Sequence, residues 1–274
     1  MRVFAIGTCR VYRSAYKLRQ PGLEVVRFPH RVHTLGQIEQ GLRYLTRGEN
    51  LVPNDLVHTL SRRACEILLN RPSPWNTLEK LRTGIPPLAE FDKILIEVSS
   101  FREHYAVAGG KTVLINSFVA ADLKRHADRF EPLYESGKLK RLTDYSTRDP
   151  GIENMHLAMN RLKAFFGKPI LWISHGNIVN PTPEEDVLYR SREKTARIVR
   201  RGVGKKSDYF YPKVLTEELG RDVLFEKNGR DLNHYTPIGL TRMAERLLKW
   251  VDPARSLQNA AAVMPDDEED AEAA

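Results

Sequence analysis

Apolar residues recur along this chain in two rhythms, short continuous runs that suit buried strands and three-to-four-residue spacings that suit one face of a helix. Val3 to Ile6 reads as a first buried strand, Gly7-Thr8-Cys9 as the turn leaving its carboxyl end, and a helix is expected from about Arg10. Leu23 to Phe28 alternates as a second strand, while Thr34 to Leu45 places Leu35, Ile38, Leu42 and Leu45 on one helical face. A further helix is expected from Asp55, whose carboxylate caps it, with Leu56, Leu60, Ile67 and Leu68 buried. Phe91 to Val98 is the clearest central strand, and Ser99-Ser100-Phe101 stops it. Helical pattern and loops follow, including Ala120 to Phe130 and Glu153 to Phe166, so 101–168 is a candidate helical insertion before the next strand, Pro169 to Ser174. Arg190 to Arg201 reads as a basic helix, Tyr209 to Tyr211 as a short fifth strand, and Ile238 to Val251 as a final amphipathic helix.

Strands alternating with helices predict an α/β fold: a three-layer α/β/α sandwich over 1–252 around a central, mainly parallel five-stranded sheet in flavodoxin-like order. In such a sheet, ligand chemistry gathers beyond the carboxyl ends of the strands. Cys9, Ser99-Ser100 and His175-Gly176-Asn177 each follow one of these strands, so one crevice can collect them.

Composition agrees with a single globular unit. No Gly/Ser linker or internal repeat divides the 274 residues, and 41% hydrophobic with 28% charged residues is ordinary for a chain with a sizeable core. Six acids and no basic residue follow Pro265, so 253–274 is expected to be a disordered acidic tail; removing those six acids from the net +8 leaves the body at +14. A body so basic can attract phosphorylated ligands, nucleic acid or an anionic membrane, and charge alone selects none of them. No zinc spacing, helix-turn-helix signature or interleaved aromatic pattern accompanies it, so no specific nucleic-acid partner is expected. Two cysteines, Cys9 and Cys65, make neither a disulfide framework nor a cysteine metal site, and the first residues lack a signal-peptide core, so a cytoplasmic protein without a transmembrane segment is expected. Scattered histidines without metal-ligand spacing argue against a bound metal.

The chemistry sits at the two ends of the chain. Asp231-Leu232-Asn233-His234 stands just before the last helix, where a short turn can direct carboxylate and imidazole into one site, the first orienting the second as general base. The alternative is that the same pair only caps its loop. At the other end, Cys9 follows the first strand and opens a helix, beside Arg10, a placement that favours thiolate as nucleophile. A small cysteine that only packs is the alternative.

Taken together, the two ends resemble the SGNH/GDSL hydrolase superfamily, whose nucleophile follows the first strand and whose Asp-x-x-His precedes the last helix. The superfamily's opening motif is Gly-Asp-Ser; here Gly7-Thr8-Cys9 puts Cys9 in the serine's place. The Gly-x-Cys start is similar to GSCFA-type proteins and to capsular-polysaccharide biosynthesis proteins that begin Gly-Asn-Cys. That resemblance implies an acyl ester hydrolase or acyltransferase acting on a glycan or glycan precursor, with Cys9, His234 and Asp231 as its catalytic residues. The superfamily's Gly-x-Asn motif is replaced by Ser99-Ser100-Phe101-Arg102, so the Cys9 amide with Ser99 or Ser100, and the Asn177 amide, are the candidate oxyanion donors.

His30 and His33, after the second strand, stand where a substrate could be met or are simply solvated loop histidines, and Arg10 beside the nucleophile is a further candidate contact. Lys194, Arg197, Arg200, Arg201, Lys205 and Lys206 form a basic stretch that is either a solvated face or a seat for phosphates such as those of coenzyme A. No cofactor is required; an acyl donor such as acetyl-CoA would be a co-substrate. The contrasting expectation is a non-catalytic ligand- or glycan-binding protein on the same fold.

Overall fold

Four consecutive buried residues, Val3, Phe4, Ala5 and Ile6, demand protein on both faces of the first strand. In the computed structural model, which describes residues 1–28, 31–47, 84–108, 110–115, 127–137 and 141–257, they have it. The chain runs through β1 (Arg2–Ile6), α1 (Cys9–Tyr16), β2 (Glu24–Arg27), α2 (Leu35–Arg47), β3 (Lys93–Val98), β4 (Glu103–Ala108), β5 (Lys111–Ile115) and α3 (Ala127–Glu135). It continues through β6 (Leu142–Arg148), α4 (Ile152–Phe166), β7 (Ile170–Ser174), α5 (Asp186–Gly202), β8 (Tyr209–Phe210), α6 (Lys213–Leu219), β9 (Asp231–Tyr235) and α7 (Pro237–Val251).

The central sheet has the order β2-β1-β3-β7-β8 and every pairing in it is parallel. Counting only its own strands, that order is 2-1-3-4-5, the doubly wound arrangement in which the chain reverses direction beside the first strand. Helices α1, α6 and α7 pack on one face; α2, α4 and α5 cover the other. The result is the expected three-layer sandwich. Its core is built where Phe4 stacks on Phe91 at 4.7 Å between centroids, with Phe28 and Phe166 against the same ring. Each such side chain contributes about 1.5–3 kcal/mol by leaving water. Among the described residues, no helix is long and apolar enough to cross a membrane.

The stretch 101–168 differs from a helical insertion. It holds a three-stranded antiparallel sheet, β5-β4-β6, as well as α3 and α4. Ala108 pairs with Lys111 across a tight hairpin in which Gly110 takes φ +80°, and Ala106, Val113, Ile115 and Leu142 turn inward. Two β-rich runs around Gly109-Gly110 are the sequence signal for such a hairpin. The outer strand β5 is shielded by α2: Gln40 exchanges two hydrogen bonds with Leu114, at 2.9 and 3.0 Å, and Gln37 donates to the Ile115 carbonyl at 3.0 Å. Side-chain amides thus occupy backbone groups that an edge strand would otherwise offer to a neighbour. The helix expected from Asp55, with Cys65, lies outside the described residues, as do His30 and 120–126. Of the acidic tail only 253–257 are described, and Arg255 ties them to the body by pairing with Asp252 and donating to the Pro21 carbonyl.

Candidate active site at the carboxyl edge of the sheet

Cys9 is the first residue of α1, two residues beyond Gly7 at the end of β1. Here β1 passes β3 so closely that a Cβ on Gly7 would stand 2.6 Å from the Glu97 Cβ, so the turn requires glycine. Thr8 occupies the N-cap position but its side chain does not cap the helix. Its hydroxyl and its amide both donate to the Glu97 carboxylate, the amide at 2.8 Å. The backbone amides of the first turn of α1 have no acceptor within the helix, and Cys9 is the first residue of that turn.

Asp231 and His234 lie on β9, which stands apart from the central sheet and bridges Phe225 and Glu226 in antiparallel fashion. Asn233 donates its amide back to Asp231 Oδ1 at 3.0 Å, a local turn that brings the two side chains together. His234 Nδ1 is 2.9 Å from Asp231 Oδ2. The same imidazole lies close enough to Cys9 for the thiol to be the largest influence raising its pKa, and its Nε2 is the ring nitrogen that Asp231 leaves unused. Residues from opposite ends of the chain therefore form one connected row: Cys9, His234, Asp231. Thr236 then caps α7 by accepting from the Gly239 amide.

Hydrogen bonding to Cys9 pushes the His234 pKa up to about 9; burial opposes this, and Asp231 adds to it. Burial also disfavours the charge of Asp231, but His234, the Asn233 amide and Lys227 outweigh it and hold the carboxyl below its ordinary value. A ring titration followed by NMR should give His234 a midpoint near 9 instead of about 6.5. Cys9→Ala should lower the midpoint more than Asp231→Asn does, because the thiol is the larger cause. By linkage, the stability carried by this raised pKa is complete below about pH 6.5 and is lost as pH rises through about 9. A midpoint unmoved by Cys9→Ala would break the assigned contact.

Behind this row lies a buried tier of charge. Glu97, near the end of β3, is 2% exposed and is approached by His175 Nδ1 at 3.1 Å and by Arg10 Nε at 4.0 Å. Arg10 and Arg192 are both buried and both donate to the Leu232 carbonyl, at 3.3 and 3.2 Å. Arg192 also reaches the Gly176 carbonyl and Asn233 Oδ1, and burial together with Arg10 pushes its pKa down to about 9. Burial and Arg10 likewise hold His175 well below the usual histidine range and bring His33 down to about 4. At neutral pH these two imidazoles are uncharged while His234 carries a proton.

Several expected substrate contacts take other roles. Arg10 lies under the site, its guanidinium against the His175 ring and over Tyr235, instead of projecting into the crevice. Ser99 Oγ is bound to His33 Nδ1 at 2.8 Å, and the Ser99 and Ser100 amides both donate to the His33 carbonyl. Ser100 Oγ is engaged by the Arg102 backbone. These contacts lock the loop after β2 to the loop after β3, and they commit both hydroxyls and His33. Asn177 is fully buried, and its amide donates to the Tyr189 carbonyl, Glu193 and Tyr211, which ties it to α5. In the basic stretch, Lys194 pairs with Asp149 at 2.6 Å.

Sequence reasoning missed Glu97, Arg192 and Glu226. A charge in the run Ile-Leu-Ile-Glu-Val was a signal for Glu97, whereas Arg192 is indistinguishable by composition from its solvated neighbours on α5. Glu226 joins Asp231 and His234, their ligand atoms all lying within 4.8 Å of one another; among the described residues this is the group able to hold a cation. Its Asp231–His234 members are already bonded to each other. A cleft of about 360 Å³ opens beside Asp231, lined also by Leu188, Lys227, Arg230 and Leu232. A larger one, about 780 Å³, lies around Met1, Arg19 and Asp92 at the opposite ends of the strands, away from this chemistry. No protein-family model matches the chain, and no curated protein matches it.

Proposed function

We propose that this protein is a thiol-dependent acyl ester hydrolase or acyltransferase, an SGNH-like enzyme with cysteine as its nucleophile. The observation that carries the reading is the Cys9–His234–Asp231 row, assembled at the carboxyl edge of a parallel sheet. Cys9 Sγ attacks the acyl carbonyl carbon as the thiolate, forming the S–C bond, while His234, charged at neutral pH, holds the proton. The carbonyl oxygen becomes negative beside the amides at the start of α1, which supply the oxyanion donors. His234 then protonates the leaving group as its bond to the acyl carbon breaks. In the second half, water or a hydroxyl acceptor attacks the thioester, His234 takes its proton, and the S–C bond breaks to restore the thiolate beside the charged imidazole. Asp231 holds the ring in place throughout.

The resemblance of the end motifs supports a glycan or glycan precursor as acceptor, while the two unpaired cysteines and the basic body support a cytoplasmic setting and an activated donor such as acetyl-CoA. No resident cofactor enters the cycle. The test is the intact mass of the protein after incubation with a panel of acyl donors. One acyl group should appear on wild type and be absent from Cys9→Ala. Donors that leave no adduct and turn over no faster than in buffer would overturn the reading and favour a ligand-binding protein.

A further inference from the structure

The cleft beside Asp231 is not used by the row of catalytic groups, and its charges are unequally matched. Leu188 and Leu232 supply apolar wall, and Leu188 is 41% exposed. Of its two acids, Glu185 is paired with Arg221, whose Nη1 lies 3.0 Å away, and Asp231 is paired with His234. Its two cations, Lys227 and Arg230, are exposed, and neither joins an ion pair among the described residues. Nearby Glu226 faces Arg13 at 3.9 Å. The cleft therefore presents two cations that join no ion pair among the described residues, Lys227 within electrostatic reach of Asp231, next to the imidazole–carboxylate pair.

The backbone beneath Lys227 is held in an uncommon shape. Lys227, Asn228 and Gly229 take φ of 54°, 54° and 74° in succession. A lysine in the left-handed region costs roughly 1 kcal/mol, so it persists only where its surroundings enforce it. Arg221 does so by donating Nε to the Gly229 carbonyl at 2.7 Å while its other nitrogens clamp Glu185, and the Arg230 amide and Nε both reach the Lys227 carbonyl. Lys227 and Arg230 are thus fixed on one tight turn at the mouth of the cleft.

We infer that this cleft is a phosphate subsite, seating a phosphate or diphosphate group of the donor or acceptor whose acyl chemistry occurs at Cys9. Two fixed monocations beside an apolar wall match a dianion attached to a less polar moiety, and the short reach to Asp231 places the rest of that molecule at His234. This rests on the reading of Cys9 as nucleophile, and the test separates the two. Inorganic pyrophosphate is titrated calorimetrically into wild type, Cys9→Ser, and the double variant Lys227→Asn, Arg230→Gln. Asparagine is chosen because it tolerates positive φ, so the turn survives the loss of charge.

Wild type and Cys9→Ser should bind alike, the double variant at least about tenfold more weakly, and binding should fall as salt rises. Bound pyrophosphate should also shift the His234 ring resonances. No binding to wild type, undiminished binding in the double variant, or binding that leaves His234 unmoved would each overturn the subsite. Pyrophosphate bound as expected with no donor able to acylate Cys9 would instead refute the catalytic reading alone. With both intact, a raised KM in the double variant for Cys9 acylation by a coenzyme A thioester places the phosphate on the donor; a raised KM only for deacylation by a sugar phosphate places it on the acceptor.

Discussion

His234→Ala leaves Cys9 essentially unacylated, with a single-turnover rate lower by about two to four powers of ten. The imidazole is the group that interacts with Cys9, and its pKa of about 9 keeps it charged at neutral pH, where it stabilises the thiolate and can protonate the leaving group. Asp231→Asn slows the same step less. In serine-protease triads the corresponding change costs about four powers of ten, because the ring adopts the wrong tautomer. A thiol needs less help than a hydroxyl, so the cost here is smaller. Acyl-enzyme formation followed by mass, with thermal melts to establish folding, measures both. Should the folded His234→Ala protein acylate at the wild-type rate, the assigned base is wrong. His175 and His33 would then be next to test, although both are tied into the buried tier and held uncharged at neutral pH.

Glu97→Ala lowers stability by about 3–5 kcal/mol, the cost of removing one partner from a buried ionic cluster. That corresponds to a melting temperature lower by roughly 10 °C for a chain of this size. Two guanidiniums, Arg10 and Arg192, lose the single carboxylate of their tier, and the Thr8 amide and hydroxyl lose their acceptor. The turn that carries Cys9 loosens with them, so thiol labelling in the surviving folded fraction should change as well. Glu97→Gln, which keeps an acceptor, should cost less. The double change Glu97→Ala, Arg10→Met should recover part of the loss, since it withdraws a charge together with its partner. A melt of Glu97→Ala within a degree or so of wild type would show that the tier carries little energy.

Much of this architecture was legible because buried strands announce themselves locally. Runs such as Val3–Ile6 and Ile94–Val98 cannot sit anywhere but inside a covered sheet, and Leu35, Ile38 and Leu42 repeat with the period of a helix. The parallel sheet and its layers follow from that alternation, as does the position of Cys9 and His234 at its carboxyl edge. Strands β4, β5 and β6 were harder, since each buries few residues and the helical pattern on either side of them is stronger.

Sequence by itself determined which groups could do the chemistry, a cysteine after the first strand and an acid three residues before a histidine. Only the tertiary structure decided which polar residues face the crevice and which serve the core. Ser99, Asn177 and Arg10 have the chemistry of substrate contacts, yet His33, the groups around α5, and the buried tier behind Cys9 claim them. Such partners come from segments far apart in the chain, and a hydrogen bond depends on distances of a few tenths of an ångström that no local pattern encodes. The pairing of Glu97 with the Thr8 turn, eighty-nine residues away, exists only once β1 and β3 lie side by side.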